Sequence, residues 1–128
     1  TPYGLRTLSP KDPKYIPYYE GDPSKRDSAY HQGAVWPWLM GAFVAAYLRA
    51  YGSSKDVRTK VRRWLDPLLE HVEEEGLATI SEIFDGDPPH MARGCISQAW
   101  SVAELLRSYE LLKPEDVRLE RPKELILR

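Results

Sequence analysis

The 128-residue chain, of which 42% is apolar, has the size of one ordinary domain and enough apolar side chains for a core. Its formal net charge is −1, and acidic and basic residues are interspersed, so we expect neither nucleic acid nor an anionic membrane surface as a partner. No apolar run approaches the roughly 20 residues that a membrane-spanning helix needs. The single cysteine, Cys95, cannot form an internal disulfide, which favours a reducing compartment, and we expect the cytoplasm.

Prolines and glycines interrupt residues 1–32 so often that we predict an irregular segment there, without a long helix. Three tyrosines of this segment, Tyr15, Tyr18 and Tyr19, provide aromatic surface, and we expect the segment to lie against a larger body. The sequence opens at Thr1 with loop-like residues. We therefore expect the chain to be a piece of a longer polypeptide.

The first predicted helix covers residues 34–51. Apolar residues recur there at helical spacing with almost no charge, so we expect a helix that is buried on most sides. Pro37 falls in its first turn, where a missing N–H costs little, and Gly52 ends it.

The second predicted helix covers residues 54–75 and is amphipathic. One apolar stripe, which includes Trp64 as a packing residue, runs along a charged background, so we expect an outer helix. Basic residues come early and acidic residues late, the reverse of the order that a single helix dipole favours. Because Asp66 is a good N-cap and Pro67 a good first residue, we expect a kink or break there.

A third helix is predicted over residues 97–112, capped by Ser97 and stopped before Pro114. No strand alternation is visible, so the predicted fold class is all-α. An apolar inner helix, an amphipathic outer helix and then a mixed one are typical of an α/α barrel. Such barrels place their sites on loops at one end of the inner helices. The loops at 27–36 and 81–96 both precede a candidate inner helix, and we expect them to face one pocket.

Side chains of the types that bind sugars are concentrated in two segments of these loop regions, Tyr30–Trp38 and Ser81–His90. Aromatic planes beside amide, imidazole and carboxylate groups suit a protein that stacks on a pyranose and bonds its hydroxyls. The loop glutamate Glu82 is the kind of group that activates water at an anomeric carbon. The alternative is that Glu82 is a solvated or capping residue.

The residues around Tyr30 have two interpretations each. Trp36 is our candidate sugar platform, although its ring is equally suited to anchoring the core below the following helix. His31 and Gln32 bond sugar hydroxyls in one interpretation and cap the helix or satisfy loop carbonyls in the other. The histidines and Cys95 do not fall at zinc-ligand spacings.

Several motifs together resemble the C-terminal part of glycogen debranching enzymes, the amylo-α-1,6-glucosidase portion. The two that carry most weight are Ala29-Tyr30-His31-Gln32-Gly33-Ala34-Val35-Trp36-Pro37-Trp38 and Ser81-Glu82-Ile83-Phe84-Asp85-Gly86. Three shorter ones agree with them: Gly4-Leu5-Arg6-Thr7-Leu8, Arg26-Asp27 and Gly94-Cys95-Ile96-Ser97-Gln98-Ala99-Trp100-Ser101. The resemblance extends over residues 3–112, nearly the whole chain.

The resemblance implies that residues 1–128 are the C-terminal portion of an (α/α)6 barrel that removes α-1,6-linked glucose from branched glycogen-type α-glucan with inversion. Glu82 matches the general base of the family, and the general acid, an aspartate, lies upstream of this chain. The residues expected to shape the glucose pocket are Tyr30, His31, Gln32, Trp36 and Asp85. The implied partners are the branched α-glucan and the remainder of the barrel, as upstream polypeptide or another chain. No cofactor and no metal is implied.

Two competing functions stay open. One is an α/α-barrel glycosidase of different linkage specificity, and the other is a non-catalytic helical module that binds glucan or scaffolds an assembly. Asp85 and Asp87 are poor candidates for the missing acid, because they share a loop with Glu82 and acid and base approach the sugar from opposite faces. Asp85 is better suited to orienting Glu82, capping the loop or bonding a sugar hydroxyl.

Overall fold

The computed structural model describes residues 1–74 and 78–114. Within these residues the chain forms four helices and four strands of two residues each. In chain order they are β1 (Leu5–Arg6), α1 (Pro23–Tyr30), β2 (Val35–Trp36), α2 (Leu39–Tyr51), α3 (Lys55–Glu74), β3 (Ile83–Phe84), β4 (Ala92–Arg93) and α4 (Ala99–Leu111). The all-α prediction therefore needs correction, because it includes the helices and misses a sheet.

The small sheet is antiparallel throughout, with the strand order β1-β2-β3-β4. Val35 of β2 pairs with Phe84 of β3, so the segment before α2 lies beside the segment that begins at Ser81. A strand of two residues has no alternation for a sequence to display. The sheet was missed for that reason.

Residues 1–32 are less irregular than predicted, because α1 occupies the end of this segment. Asp22 is its N-cap and accepts a hydrogen bond from the Lys25 N–H at 3.1 Å. Pro23 follows as the first helical residue, where its fixed φ suits a helix. The pair Asp22-Pro23 is thus a helix start signal that the abundance of proline and glycine concealed.

The apolar helix begins five residues later than predicted. Val35 and Trp36 belong to β2, and α2 starts at Leu39 after Trp38 as N-cap. Pro37 therefore precedes the helix instead of lying in its first turn, and its carbonyl accepts the Met40 N–H at 3.0 Å. Pairing of β2 with its neighbours removes these backbone groups from helix formation.

Of the kink or break predicted at Pro67, the break is wrong, because α3 runs as one helix from Lys55 to Glu74 with Pro67 inside it, and the kink stays a prediction. A proline inside a helix costs about 3 kcal/mol, and full burial of neighbours such as Leu65 and Leu68 offsets that cost. Trp64 packs against other rings of the core, as predicted. The predicted last residue, 75, lies outside the described residues. None of the described helices is long and apolar enough to cross a membrane.

The last helix, α4, follows Gln98 as N-cap instead of Ser97. The Ser97 hydroxyl is engaged elsewhere, in a 2.8 Å hydrogen bond with the hydroxyl of Thr79. Of the helix pairs, α2 and α4 have the most extensive contact. Residues 115–128, which we expected to belong to the same portion of a barrel, lie outside the described residues.

Two apolar clusters form the interior. The larger one lies among the helices, and its buried residues are Val35, Met40, Val44, Val61, Leu65, Leu68, Ile80, Phe84, Leu105 and Leu112. The smaller one consists of Ala34, Trp36 and Ile83, with Tyr19, Tyr30, Trp38 and Leu39 packed against it. Each of the two inner strands, β2 and β3, contributes one residue to the larger cluster and one to the smaller cluster, because successive side chains of a strand point to opposite faces. The sheet therefore separates the helical core from an aromatic cluster beneath the two motif loops.

Candidate active site

Glu82 lies at the start of a hairpin formed by β3 and β4. Its backbone N–H donates to the carbonyl of Cys95 at 2.9 Å, and the pairing of Ile83 with Arg93 extends the same ladder. One arm of the hairpin thus carries the carboxylate and the other arm carries the groups that surround it. The loops at 27–36 and 81–96 meet through the contact between Tyr30 and Glu82, and that they face one pocket stays a prediction.

A glycine allows the Glu82 side chain to lie close to the opposite arm. Gly94 has φ +70°, and a Cβ atom placed on it would stand 2.4 Å from Glu82 Oε2. Any larger residue would therefore meet both an unfavourable backbone conformation and the carboxylate itself. The sequence Arg93-Gly94-Cys95 shapes the wall on which Glu82 rests.

Both oxygens of the Glu82 carboxylate accept hydrogen bonds. The Tyr30 hydroxyl donates to Oε1 across the boundary between the two loops. The backbone N–H of Cys95 donates to Oε2 at 3.0 Å, and the Cys95 thiol donates to the same oxygen at 3.2 Å. The Gln98 side chain also contributes a favourable interaction. Donors from Tyr30 on one side and from Cys95 and Gln98 on the other hold the carboxylate in one position.

These donors keep Glu82 ionised. Burial by itself raises the pKa of Glu82, but the hydrogen bonds from Tyr30, Cys95 and Gln98 outweigh burial, so the pKa lies below its ordinary value. Burial and the contact with Glu82 raise the pKa of Tyr30, which keeps its hydroxyl protonated as a donor. At neutral pH the pair is therefore a carboxylate and a neutral phenol, the state that a general base requires.

Glu82 opens on a polar cleft of about 590 Å³. Its lining combines the two guanidinium groups of the region with backbone and aromatic groups: Tyr19, Arg26, Glu82, Ala92, Arg93, Gly94 and Cys95. Within residues 1–74 and 78–114, no group of three or more His, Cys, Asp or Glu side chains is arranged to hold a metal ion. The cleft offers hydrogen-bond donors and acceptors beside a charged carboxylate.

Asp85 is nearly inaccessible and anchors the loop from inside. It is 1% exposed, and its Oδ1 accepts the Tyr19 N–H at 2.9 Å. Its Oδ2 accepts Arg93 Nε at 3.0 Å and lies 2.9 Å from Arg93 Nη2. This geometry favours loop anchoring among the roles considered for Asp85, and a direct contact with sugar stays a prediction.

Trp36 lies inside the aromatic cluster. It is 5% exposed, its Nε1–H donates to the Tyr30 carbonyl at 3.1 Å, and its ring meets that of Tyr30 edge-on with centroids 4.8 Å apart. The exposed His31 ring stacks on it at 5.7 Å. These contacts favour the core-anchor interpretation of Trp36, while its role as a sugar platform stays a prediction.

Gln32 forms two backbone hydrogen bonds. Its carbonyl accepts the Ile16 N–H at 2.7 Å, and its N–H donates to the Ala29 carbonyl at 3.1 Å just past the end of α1. The first of these bonds ties the N-terminal segment to the motif loop. A contact between the Gln32 amide and sugar stays a prediction.

A second, apolar cleft of about 170 Å³ adjoins the aromatic cluster. It is lined by Thr7, His31, Trp36, Trp38, Leu39 and Trp100. The ring of Trp100 contacts that of Trp38, with centroids 5.6 Å apart. The side chain is nevertheless 50% exposed, so Trp100 also presents an aromatic surface.

Sequence reasoning missed the cleft-lining roles of Tyr19, Arg93 and Cys95. For Cys95, only its place in the motif Gly94–Ser101 pointed to the site. Tyr19 and Arg93 are brought there by the buried Asp85, which bonds both. A buried carboxylate that bonds residues from distant parts of the chain produces no recognisable pattern in the spacing of residues along the sequence.

An ionised loop glutamate on a polar cleft, with aromatic rings packed beside it, is typical of enzymes that hydrolyse glycosides. The family described as Amylo-alpha-1,6-glucosidase matches residues 1–107. The chain belongs to this family, which confirms the resemblance inferred from its motifs.

A curated relative agrees with the family. The chain is 44% identical over 52 residues to a protein of Saccharomyces cerevisiae named glycogen debranching enzyme. The match covers 36% of this chain and 3% of the yeast protein. The chain thus corresponds to a small fraction of the length of that relative.

Proposed function

We propose that this chain carries the general base, Glu82, of a glycoside hydrolase that removes α-1,6-linked glucose from branched glycogen-type α-glucan with inversion. The observation that carries the proposal is the Glu82 carboxylate on a polar cleft, with its pKa lowered by hydrogen bonds from Tyr30, Cys95 and Gln98. The description of the family and the name of the yeast relative support the linkage and the substrate.

In the proposed reaction, one water bound at Glu82 attacks the anomeric carbon from the face opposite the leaving group. The new bond joins the water oxygen to the anomeric carbon, the glycosidic bond breaks, and Glu82 takes the proton of the water. A general acid protonates the leaving oxygen of the glucan. In inverting enzymes these two carboxyl groups stand about 6.5–9.5 Å apart, which leaves room for the water.

We propose that the general acid comes from upstream of this chain. Asp85 is unsuited to that role, because both of its oxygens are engaged by Tyr19 and Arg93 and the side chain is buried. Asp87 accepts the Tyr15 hydroxyl at 2.9 Å and shares the Glu82 loop. The resemblance to the family implies an aspartate from another part of the enzyme for the opposite face of the sugar.

The remainder of the enzyme would also complete an (α/α)6 barrel around this chain. Large apolar side chains of α4 stand exposed, with Trp100 at 50% and Leu106 at 65%, and such residues suit contact with further helices. The small share of the yeast relative that is matched agrees with a larger whole. The free thiol of Cys95 supports a reducing compartment, and we propose the cytoplasm.

The test is glucose release from a phosphorylase-trimmed branched dextrin by the complete enzyme carrying Glu82→Gln. We expect turnover to fall by at least about 100-fold, the usual contribution of a general base. The matched control, Glu70→Gln, changes an exposed glutamate of α3 and should leave turnover unchanged. NMR of the first product should show the anomer of inverted configuration.

Full turnover by Glu82→Gln would overturn the proposal and favour a non-catalytic glucan-binding or scaffold module. If the enzyme hydrolyses another linkage and not the branched dextrin, the proposed role of Glu82 as base would stand and the proposed substrate would be wrong. Glucose release by the 128-residue chain alone would show that the acid lies within it.

A further inference from the structure

We propose that Tyr30 is a positioning residue for Glu82, and that its hydroxyl holds Oε1 as the oxygen that takes the proton of the reacting water. This inference rests on the proposed role of Glu82 as general base. It assigns different tasks to the two oxygens of the carboxylate, and it gives Tyr30 a role other than direct contact with sugar.

The two oxygens of Glu82 differ in their partners. Oε2 accepts both the N–H and the thiol of Cys95, at 3.0 and 3.2 Å. A carboxylate oxygen has two acceptor sites, so these donors fill Oε2. We therefore assign the reacting water to Oε1, the oxygen that the Tyr30 hydroxyl contacts, with the Gln98 side chain as a further donor to the carboxylate.

Tyr30 is fixed in place by packing on three sides. Its ring meets the ring of Tyr19 at 5.6 Å, that of His31 at 4.8 Å and that of Trp36 at 4.8 Å between centroids. Its own carbonyl accepts Trp36 Nε1–H at 3.1 Å. A donor held this firmly aligns its acceptor without loss of side-chain freedom during the reaction, which is the condition for effective preorganisation.

The place of Tyr30 in the chain explains how it bridges the two loops. It is the last residue of α1, and it also packs on the smaller apolar cluster beneath the sheet. The hydroxyl therefore links the position of the carboxylate on the neighbouring hairpin to the positions of α1 and of the aromatic cluster. Neither Glu82 nor its hairpin alone would fix the direction of Oε1.

The first test is Tyr30→Phe in the complete enzyme, which keeps the ring and its packing and removes only the hydroxyl. We expect kcat to fall by about tenfold and KM for branched dextrin to stay nearly constant. The acidic limb of kcat/KM should move up by about one pH unit, because Glu82 loses one hydrogen bond to its charged form. Tyr51→Phe, which removes an exposed hydroxyl at the end of α2, is the matched control and should change none of these quantities.

A second variant moves the same limb in the opposite direction. A fluorinated tyrosine at position 30 has a more acidic hydroxyl, which donates a stronger hydrogen bond to Glu82. We expect the acidic limb to move to lower pH, with the ring packing kept. This variant tests the inference even if Tyr30→Phe fails to fold.

An acidic limb that stays in place in both variants would overturn the inference. A rise in KM with unchanged kcat would also overturn it, because it would assign the hydroxyl to substrate binding. Failure of the proposed function is separately visible, since Glu82→Gln would then retain turnover.

Discussion

Val35 and Phe84 face each other across the two inner strands of the small sheet, and this pair joins the two motif loops. Both side chains are buried in the larger apolar cluster, while their strand neighbours Trp36 and Ile83 belong to the smaller one. Because one register sets both clusters, Tyr30 on one loop and Glu82 on the other are brought within hydrogen-bonding contact. The candidate site depends on long-range pairing more than on either loop by itself.

Gly94→Ala should impair both activity and stability. An added Cβ at this position stands 2.4 Å from Glu82 Oε2, and φ is +70°, so the carboxylate must move. We expect kcat to fall at least about tenfold, because displacement of a catalytic group by roughly 1 Å has large effects. The backbone strain should lower the free energy of unfolding by about 1–2 kcal/mol.

Gly52→Ala is the matched control for this substitution. Gly52 has a similar φ of +76°, and an added Cβ would meet no atom within 4 Å. It should lower the free energy of unfolding in denaturant, because φ +76° with ψ −175° is essentially restricted to glycine, and it should leave kcat unchanged. Equal loss of activity in both variants would show that backbone strain, and not the contact with Glu82, is responsible.

Asp85→Asn should act mainly on stability. The substitution removes the charge that pairs with Arg93 at the hairpin, and hydrogen bonds to charged groups contribute about 1.5–3 kcal/mol. We expect a loss of that size in urea unfolding, against at most about 1 kcal/mol for the exposed control Asp56→Asn, whose charge lies in the first turn of α3. A raised KM for glucan with unchanged stability would instead support the sugar contact predicted for Asp85.

Trp36→Ala should destabilise the fold far more than Trp100→Ala. Trp36 is 5% exposed and Trp100 is 50% exposed, and removal of a buried tryptophan costs about 3–5 kcal/mol. Chemical denaturation should give less than half of that loss for Trp100→Ala. A Trp36→Ala variant of normal stability and raised KM would support its role as a sugar platform.

The activity of the complete enzyme should persist to unusually low pH. The general base must be ionised, and because the pKa of Glu82 is lowered, we expect the acidic limb of kcat/KM to lie at lower pH than an ordinary glutamate would give. The same lowered pKa contributes stability above the unfolded value, and that contribution is lost as the pH falls through the folded pKa. An acidic limb above pH 5, roughly the upper range of an unperturbed glutamate, would contradict the assignment of Glu82.

Helices were predictable where a long apolar pattern continued. The stripe of α3 and the apolar residues of α2 and α4 indicated three helices and the packing role of Trp64. Their ends were less certain, as Val35 and Trp36 show, because strand pairing took residues that local spacing assigned to a helix. The short helix α1 had a start signal in Asp22-Pro23 that composition outweighed.

The sequence by itself determined the family of this protein: the motifs around Tyr30 and Glu82 identified the family and the candidate base. Only the tertiary structure decided how those groups are used. It buried Trp36 and Asp85, filled Oε2 with the donors of Cys95, and placed the Tyr30 hydroxyl against Oε1. Motifs record which functional groups are present, whereas burial and hydrogen bonding depend on residues distant in the chain that a two-residue strand pairing brings together.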